Sequence, residues 1–248
     1  MKSSRLLIPV FLSVILAIIA QQADAQVFRQ TPAQLDAKIK KAGTRLDLIQ
    51  QNPTTQIPKY VLNNAIGLII IQQFKAGIGI GAEGGGGVAL VKNPQTGHWS
   101  PPAFVANAEG SYGWQLGAQN AITVFCIMKK EGLKILQEGG VKFGVDVRAT
   151  AGPATAGGEA MVDNIKSPVL VYSNREGLFA GVAFEGGGII HAQRKNEAYY
   201  GMPMQDVLFS GLAKWSQEGA NLVNKLRRYA GEFDVPENNM LNRAPTYR

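Results

Sequence analysis

The sequence predicts an α+β domain in which an antiparallel, glycine-rich sheet or partial barrel is covered by helices from the N- and C-terminal ends of the chain. Three observations predict it. Apolar residues recur at helical spacing from Leu35 to Ile49; small and branched residues alternate at every second position through the centre; and apolar rows return from about Met204 to Tyr229.

The first segment is set aside before any fold reasoning. Lys2 and Arg5 precede an apolar run from Leu6 to Ala20, followed by Ala23-Asp24-Ala25, the pattern of a signal peptide with a small-residue cleavage site. The run is about 15 residues, roughly 22 Å as a helix and shorter than the ~30 Å hydrocarbon layer. Residues 1–25 are therefore expected to be removed, leaving a domain over 26–230 and a loose, proline-interrupted tail over 231–248. Gln26 stands where a bacterial lipoprotein needs cysteine, so the expected product is exported, periplasmic or extracellular, and at most peripheral to a membrane.

Thr31 as N-cap, Pro32 in the first turn and Gln34 three residues after the cap spell a capping box for a helix ending near Gln51. Leu35, Ile39, Ala42, Leu46 and Ile49 form its apolar stripe, and Lys38, Lys40, Lys41 and Arg45 its cations. A second short helix is expected from Pro58, ended by Gly67, and then a buried strand at "LIII". Further on, Gly77, Gly79 and Gly81 oppose Ile78, Ile80 and Ala82, a strand pattern with one bare side. "VKFGVDVRA" shows the same period. "AGIGIGAEGGGGV" and "AGVAFEGGGII" echo one another and predict two similar strands, each ending in a glycine bend that leads into a second strand, "VALV" or "IIHA". A strand pair is expected between Trp99 and Met128, a short helix at "KKEGLKILQEGG", a strand at "PVLVYS", and helical material from about Met204 to Tyr229.

Gly79, Gly81 and Gly84 also spell G-x-G-x-x-G. A dinucleotide site needs a helix N-terminus directly after the glycines, and "GGGVALV" supplies no N-cap and no helical spacing, so the match is read as sheet glycine. Catalytic material is sparse. The two histidines, His98 and His191, have no partner nearby in sequence, metal spacings of the H-E-x-x-H and C-x-x-C kinds are absent, and "GSYG" is no nucleophile elbow. Glu83 and Glu185 form the one arguable carboxylate pair, with capping of adjoining glycine N–H groups as their structural alternative. Trp99, Tyr112, Trp114, Tyr199 and Tyr200 fit edge-of-core packing or a pocket or membrane interface. No catalytic residue, metal or cofactor is assigned.

The formal charge of +7 favours anionic partners, and export makes phospholipid rather than nucleic acid the expected one. Cys126 is the single cysteine, in "ITVFCIM", so an internal disulfide is impossible and the core must carry stability.

"IPKYVLNNAIGLII", "KAGIGIGAEGGGGVALVKNPQTGHWSPPAF", "GSYGWQLGAQ", "YSNREGLFAGVAFEGGGI" and "NEAYYG", in this order from about Ile57 to Gly201, resemble the SYLF domain family, which includes yeast and animal actin-associated membrane proteins and secreted bacterial proteins. The resemblance implies a non-catalytic domain that binds membrane lipids, phosphoinositides in its eukaryotic members, with an amphipathic N-terminal helix contributing to attachment. Actin is not the expected partner, since an exported chain meets it only inside a host cell. The expected lipid-binding residues are thus Lys38, Lys40, Lys41 and Arg45, with the Leu/Ile stripe either in the headgroup boundary or packed on the domain's own sheet. The alternative is a structural or protein-interaction module of the cell envelope.

Overall fold

The computed structural model describes residues 30–78, 80–111, 117–138, 146–153, 166–174 and 188–232. The amino-terminal helix forms as α1 (Pro32–Gln51). Its capping box is reciprocal: the Gln34 N–H donates to Thr31 Oγ1 at 3.3 Å and the Thr31 N–H to Gln34 Oε1 at 2.9 Å. A short α2 (Lys59–Asn64) follows Pro58 and closes at Ala65, two residues before the expected stop, because Gly67 already opens the first strand.

Strands β1 (Gly67–Ile78), β2 (Ile80–Val91), β3 (Ala103–Ser111), β4 (Gly117–Ile127), β5 (Ala149–Ala151), β6 (Val169–Ser173) and β7 (Gly188–His191) make one seven-stranded sheet in the order β5-β6-β4-β1-β2-β3-β7. The expected α+β class holds, and of the sheet and the partial barrel the chain forms the sheet, open among the described residues and ending in the short strands β5 and β7; its one departure from the antiparallel expectation is β5, which pairs parallel with β6. The glycine bend expected after Glu83 is corrected: the glycines from Gly84 to Gly87 do not bend away. They pair in register with β1, from Phe74↔Gly84 to Ile71↔Gly87, and on their other side with β3. Ladders on both flanks hold this backbone extended to Ala89 and the one with β1 carries it on to Val91, so no helix opens after Gly84 and the pyrophosphate requirement is unmet.

Helices cover both faces of the inner part of the sheet. Leu68, Ile70, Val88, Leu90, Phe104, Val124 and Cys126 pack with α1 and with α6 (Gln217–Ala230). Ile69, Ile71, Ala89, Val105, Phe125 and Ile127 pack on the opposite face with α3 (Lys134–Gln137), which a 3-10 turn at Lys130–Leu133 leads into, and with α5 (Met204–Phe209). Burial on both sides is why "LIII" shows no polar alternation. The expected carboxy-terminal helical stretch is thus two helices on opposite faces. Ser216 restarts the second, its Oγ accepting from the Gly219 N–H at 3.1 Å, and Gly231 ends it in the left-handed region at φ 78°.

Helix α4 (Gln193–Tyr200) was not foreseen, because it has no apolar stripe; its one buried residue is Asn196. The echoing segment before Gly188, most of "VKFGVDVRA", Tyr112, Trp114, the expected signal peptide and nearly all of the tail lie outside the described residues. No described helix is long and apolar enough to cross a membrane.

Candidate functional site

The α1 stripe is core. Leu35, Ile39, Leu46 and Ile49 are all 0% exposed. Burying these four side chains contributes roughly 6–12 kcal/mol as an upper estimate, so turning the stripe out into lipid would cost more than a typical domain can lose. Of the two placements weighed for the stripe, the structure has the one against the domain's own sheet. Any membrane contact by this helix must use its other sides.

The helix then divides its charged residues between two edges. At ~100° per residue, Lys38 and Arg45 stand on one edge with Lys41 beside them, while Lys40 falls about 160° from Lys38, toward the edge that carries Asp36 and Asp47. Both acids are engaged. Tyr199 donates its hydroxyl to Asp36 Oδ1, Lys225 pairs with Asp47 Oδ2, and the Tyr229 hydroxyl donates to Asp47 Oδ1 at 2.7 Å. Burial, then the hydrogen bond to its aspartate, pushes Tyr199 and Tyr229 each up to about 12, so both stay protonated donors at neutral pH. These contacts tie α1 to α4 and α6.

The opposite edge overlooks the sheet where the helical cover stops. Half-buried Arg45 donates from Nη2 to Gln72 Oε1 at 2.6 Å, and burial lowers its pKa. Gln72 sits directly across the ladder from Gly86, and Gly86 from Ala106. Lys195 on α4 reaches over the same place: its Nζ lies 3.9 Å from where a Cβ on Gly86 would stand. Burial lowers the Lys195 pKa, and the nearby Lys38 charge lowers it further. Arg45 and Lys195 thus converge over a bare strip of sheet, with Lys38 near enough to Lys195 to act on its charge and no carboxylate partner to the three among the described residues. The predicted residues contribute Lys38 and Arg45 to this cluster; Lys40 and Lys41 are exposed on α1. Lys195 was missed because α4 itself was missed.

The other candidates resolve into structure. His98 is exposed in the turn after β2, where Trp99 is buried beneath Lys92, whose Nζ stands 5.0 Å from the ring centroid. Tyr199 and Tyr200 pack edge-to-face on one another, centroids 4.7 Å apart, and around Phe104. Glu185 and the Glu83 side chain lie outside the described residues. No group of His, Cys, Asp and Glu able to hold a metal occurs among the described residues.

His191 is held between the helices of the second face, its Nδ1 3.0 Å from Gln205 Nε2, with Ile135 nearby. Burial lowers its pKa. A histidine whose folded pKa lies below its unfolded value near 6.5 costs stability as pH falls through that window, since the unfolded chain binds the proton more readily. Urea titrations between pH 7 and pH 5 should therefore show a loss of stability that His191→Gln reduces; identical slopes in both proteins would contradict this assignment.

What the fold and site define is an α+β domain: an open sheet clamped by helices on both faces, carrying a cationic edge with no carboxylate partner among the described residues. The chain belongs to the Ysc84 family, also known as SYLF. The family model described as Ysc84, Las17-binding protein actin regulator, matches residues 108–229. Protein YSC84 of Saccharomyces cerevisiae is 34% identical over 180 residues, covering 68% of this chain and 38% of the yeast protein. LAS seventeen-binding protein 3 of the same yeast is 33% identical over 180 residues, 68% of this chain and 39% of that protein. SH3 domain-containing YSC84-like protein 1 of Xenopus laevis is 28% identical over 207 residues, 81% of this chain and 61% of the frog protein. The chain thus spans between 38% and 61% of the length of these relatives.

Proposed function

We propose that this domain binds anionic phospholipid surfaces without catalysis, as an exported protein peripheral to the membrane, through Lys38, Lys40, Lys41 and Arg45 of α1. One observation carries the reading: both acids of α1 are taken up by tyrosines and a lysine of the neighbouring helices, whereas its cations lack carboxylate partners among the described residues. The helix therefore presents net positive charge while its apolar stripe stays inside. The formal charge of +7, or +6 once Lys2, Arg5 and Asp24 are removed with the signal segment, supports the same partner. The amino-terminal Lys2 and Arg5, the apolar run and Ala23-Asp24-Ala25 support export.

Sedimentation with phosphatidylglycerol-containing vesicles at low salt tests this, with neutral phosphatidylcholine vesicles as reference. Each basic residue near an anionic surface contributes about 1 kcal/mol, so reversing Lys38, Lys40, Lys41 and Arg45 to glutamate should weaken binding at least about a hundredfold. Binding should also fall as salt rises. A folded variant that sediments like the wild type would move the site off α1.

A second reading is protein interaction. It is favoured by the family description, which names a Las17-binding actin regulator, and by the apolar end of α5 and the turn beyond it, where Phe209 is 40% and Leu212 71% exposed. A domain that ignores anionic vesicles at every salt concentration would leave this reading in place of the first.

A further inference from the structure

We infer that Lys195, Lys38 and Arg45 form a pocket over Gly86 that takes a phosphate monoester, the terminal phosphate of a lipid headgroup or of a small soluble ester. The inference rests on the anionic-surface reading for its membrane source but adds a residue from another helix, a floor and a ligand charge. The floor is the ladder row Gln72, Gly86 and Ala106, whose central position has no side chain. Arg45 is fixed over one end of the row by its bond to Gln72, and Lys195 over the middle, so the guanidinium and the ammonium stand above neighbouring strands. Such strands are about 4.8 Å apart, a spacing a single phosphate can bridge with two of its oxygens.

Charge balance selects the ester. Asp36, the acid nearest in sequence to Lys38, is on the other edge of α1 and bound by Tyr199. Glu197 is exposed on α4, two residues from Lys195, and residues two apart on a helix do not face each other. The charge of Lys38 disfavours that of Lys195, and both residues are partly buried. Three cations with no acid beside them among the described residues call for a compact ligand of about two negative charges. A phosphate monoester carries about −1.5 to −2 at neutral pH; a diester, as in phosphatidylglycerol, carries a single charge. The edge of the same row ends at Ile190, which is 42% exposed and pairs with Ala106, so the floor leads from the cations to an apolar margin.

Calorimetric titration of the full chain with glycerol 3-phosphate reads the pocket without a membrane, and vesicles containing phosphatidic acid or phosphatidylglycerol at matched surface potential read it with one. Glycerol 3-phosphate should bind; Lys195→Gln and Lys38→Gln should each weaken it about tenfold, the scale of one charge-assisted hydrogen bond, whereas Lys134→Gln on the far face should not. Phosphatidic acid vesicles should sediment more protein than the diester vesicles, and Lys195→Gln should erase the difference. If both vesicles bind alike and Lys195→Gln changes neither titration nor sedimentation, the pocket is overturned while the surface reading stands. If glycerol 3-phosphate binds with the expected lysine dependence and no vesicle does, the surface reading falls and the pocket serves a soluble ester. If neither binds, both fall.

Discussion

Replacing Gly87 by alanine is expected to cost roughly 3 kcal/mol or more, at the upper end of what overpacking a core produces. A Cβ at this position would stand 1.8 Å from the Ile70 carbonyl oxygen, 2.7 Å from its carbon and 2.8 Å from Ile71 Cα. All three are backbone atoms of β1, so no rotamer change relieves the overlap. β1 cannot retreat, because it is paired with β2 on one side and β4 on the other, and its Ile69, Ile70 and Ile71 are 0% exposed. Alanine must break the ladder locally or displace the strand on which both core faces are built. The neighbouring position supplies the control. At Gly86 the nearest atom to an added Cβ is the Val105 carbonyl oxygen at 3.4 Å, ordinary contact, and a strand-interior glycine gives up stability to its own chain entropy. Gly86→Ala should therefore be neutral or slightly stabilising. In a domain of this size each kcal/mol moves the midpoint by about 2–4 °C, so thermal unfolding should separate the two variants by some 6 °C or more. Equal midpoints would mean that Gly87 does not press against β1 as described.

That contrast between adjacent glycines marks how far the sequence is legible. The alternation of Gly with Ile and Ala identifies a strand with a bare side, and it is the reason a nucleotide turn could be rejected. Nothing in "GGGG" distinguishes the glycine that must be one from the glycine that merely is, because the difference lies in the backbone of β1, some sixteen residues earlier in the chain. The same run was read as a bend because glycine permits bends; what keeps it straight is pairing on both flanks, which is non-local. By contrast α1 was legible from cap to end. Thr31, Pro32, Gln34 and the Leu35 to Ile49 stripe are local signals, and the structure uses each of them. Local signals cannot say what a stripe packs on, however, and α1 fits a sheet and a bilayer equally well as a sequence. The site was half legible for the same reason. Lys38 and Arg45 share a helical edge that spacing reveals, whereas Lys195 joins them only because α4 lies beside α1, and α4 announces itself by no apolar periodicity at all.

What holds α4 in place is Asn196, and its removal is the second large effect expected. Asn196 is 0% exposed. Its Oδ1 accepts from the Phe104 N–H at 2.7 Å and its Nδ2 donates to the Phe104 carbonyl at 2.8 Å and to the Ala192 carbonyl at 3.2 Å. Pairing between β3 and β7 begins only at Val105↔His191, so the side chain completes a ladder that the edge strand leaves unfinished. Truncation to alanine strands a buried N–H and weakens the carbonyl's satisfaction, at about 1–3 kcal/mol for each unpaired group. Asn196→Ala should thus lose about 2–4 kcal/mol in urea unfolding. Asn196→Asp keeps the acceptor but turns a second oxygen toward two carbonyls, which only a protonated carboxyl could satisfy. Its folded pKa is then raised above the unfolded carboxylate value, so that stability persists at acid pH and is lost as pH rises through the raised value. The aspartate variant should accordingly gain on the alanine variant at pH 4 and fall behind it at pH 7. Because Lys195 precedes Asn196 on the same turn, either substitution should also loosen the ammonium over Gly86. Unchanged stability in Asn196→Ala, or an aspartate variant as stable at pH 7 as at pH 4, would show that the amide does not stand in for the missing strand, and the placement of Lys195 would then need another support.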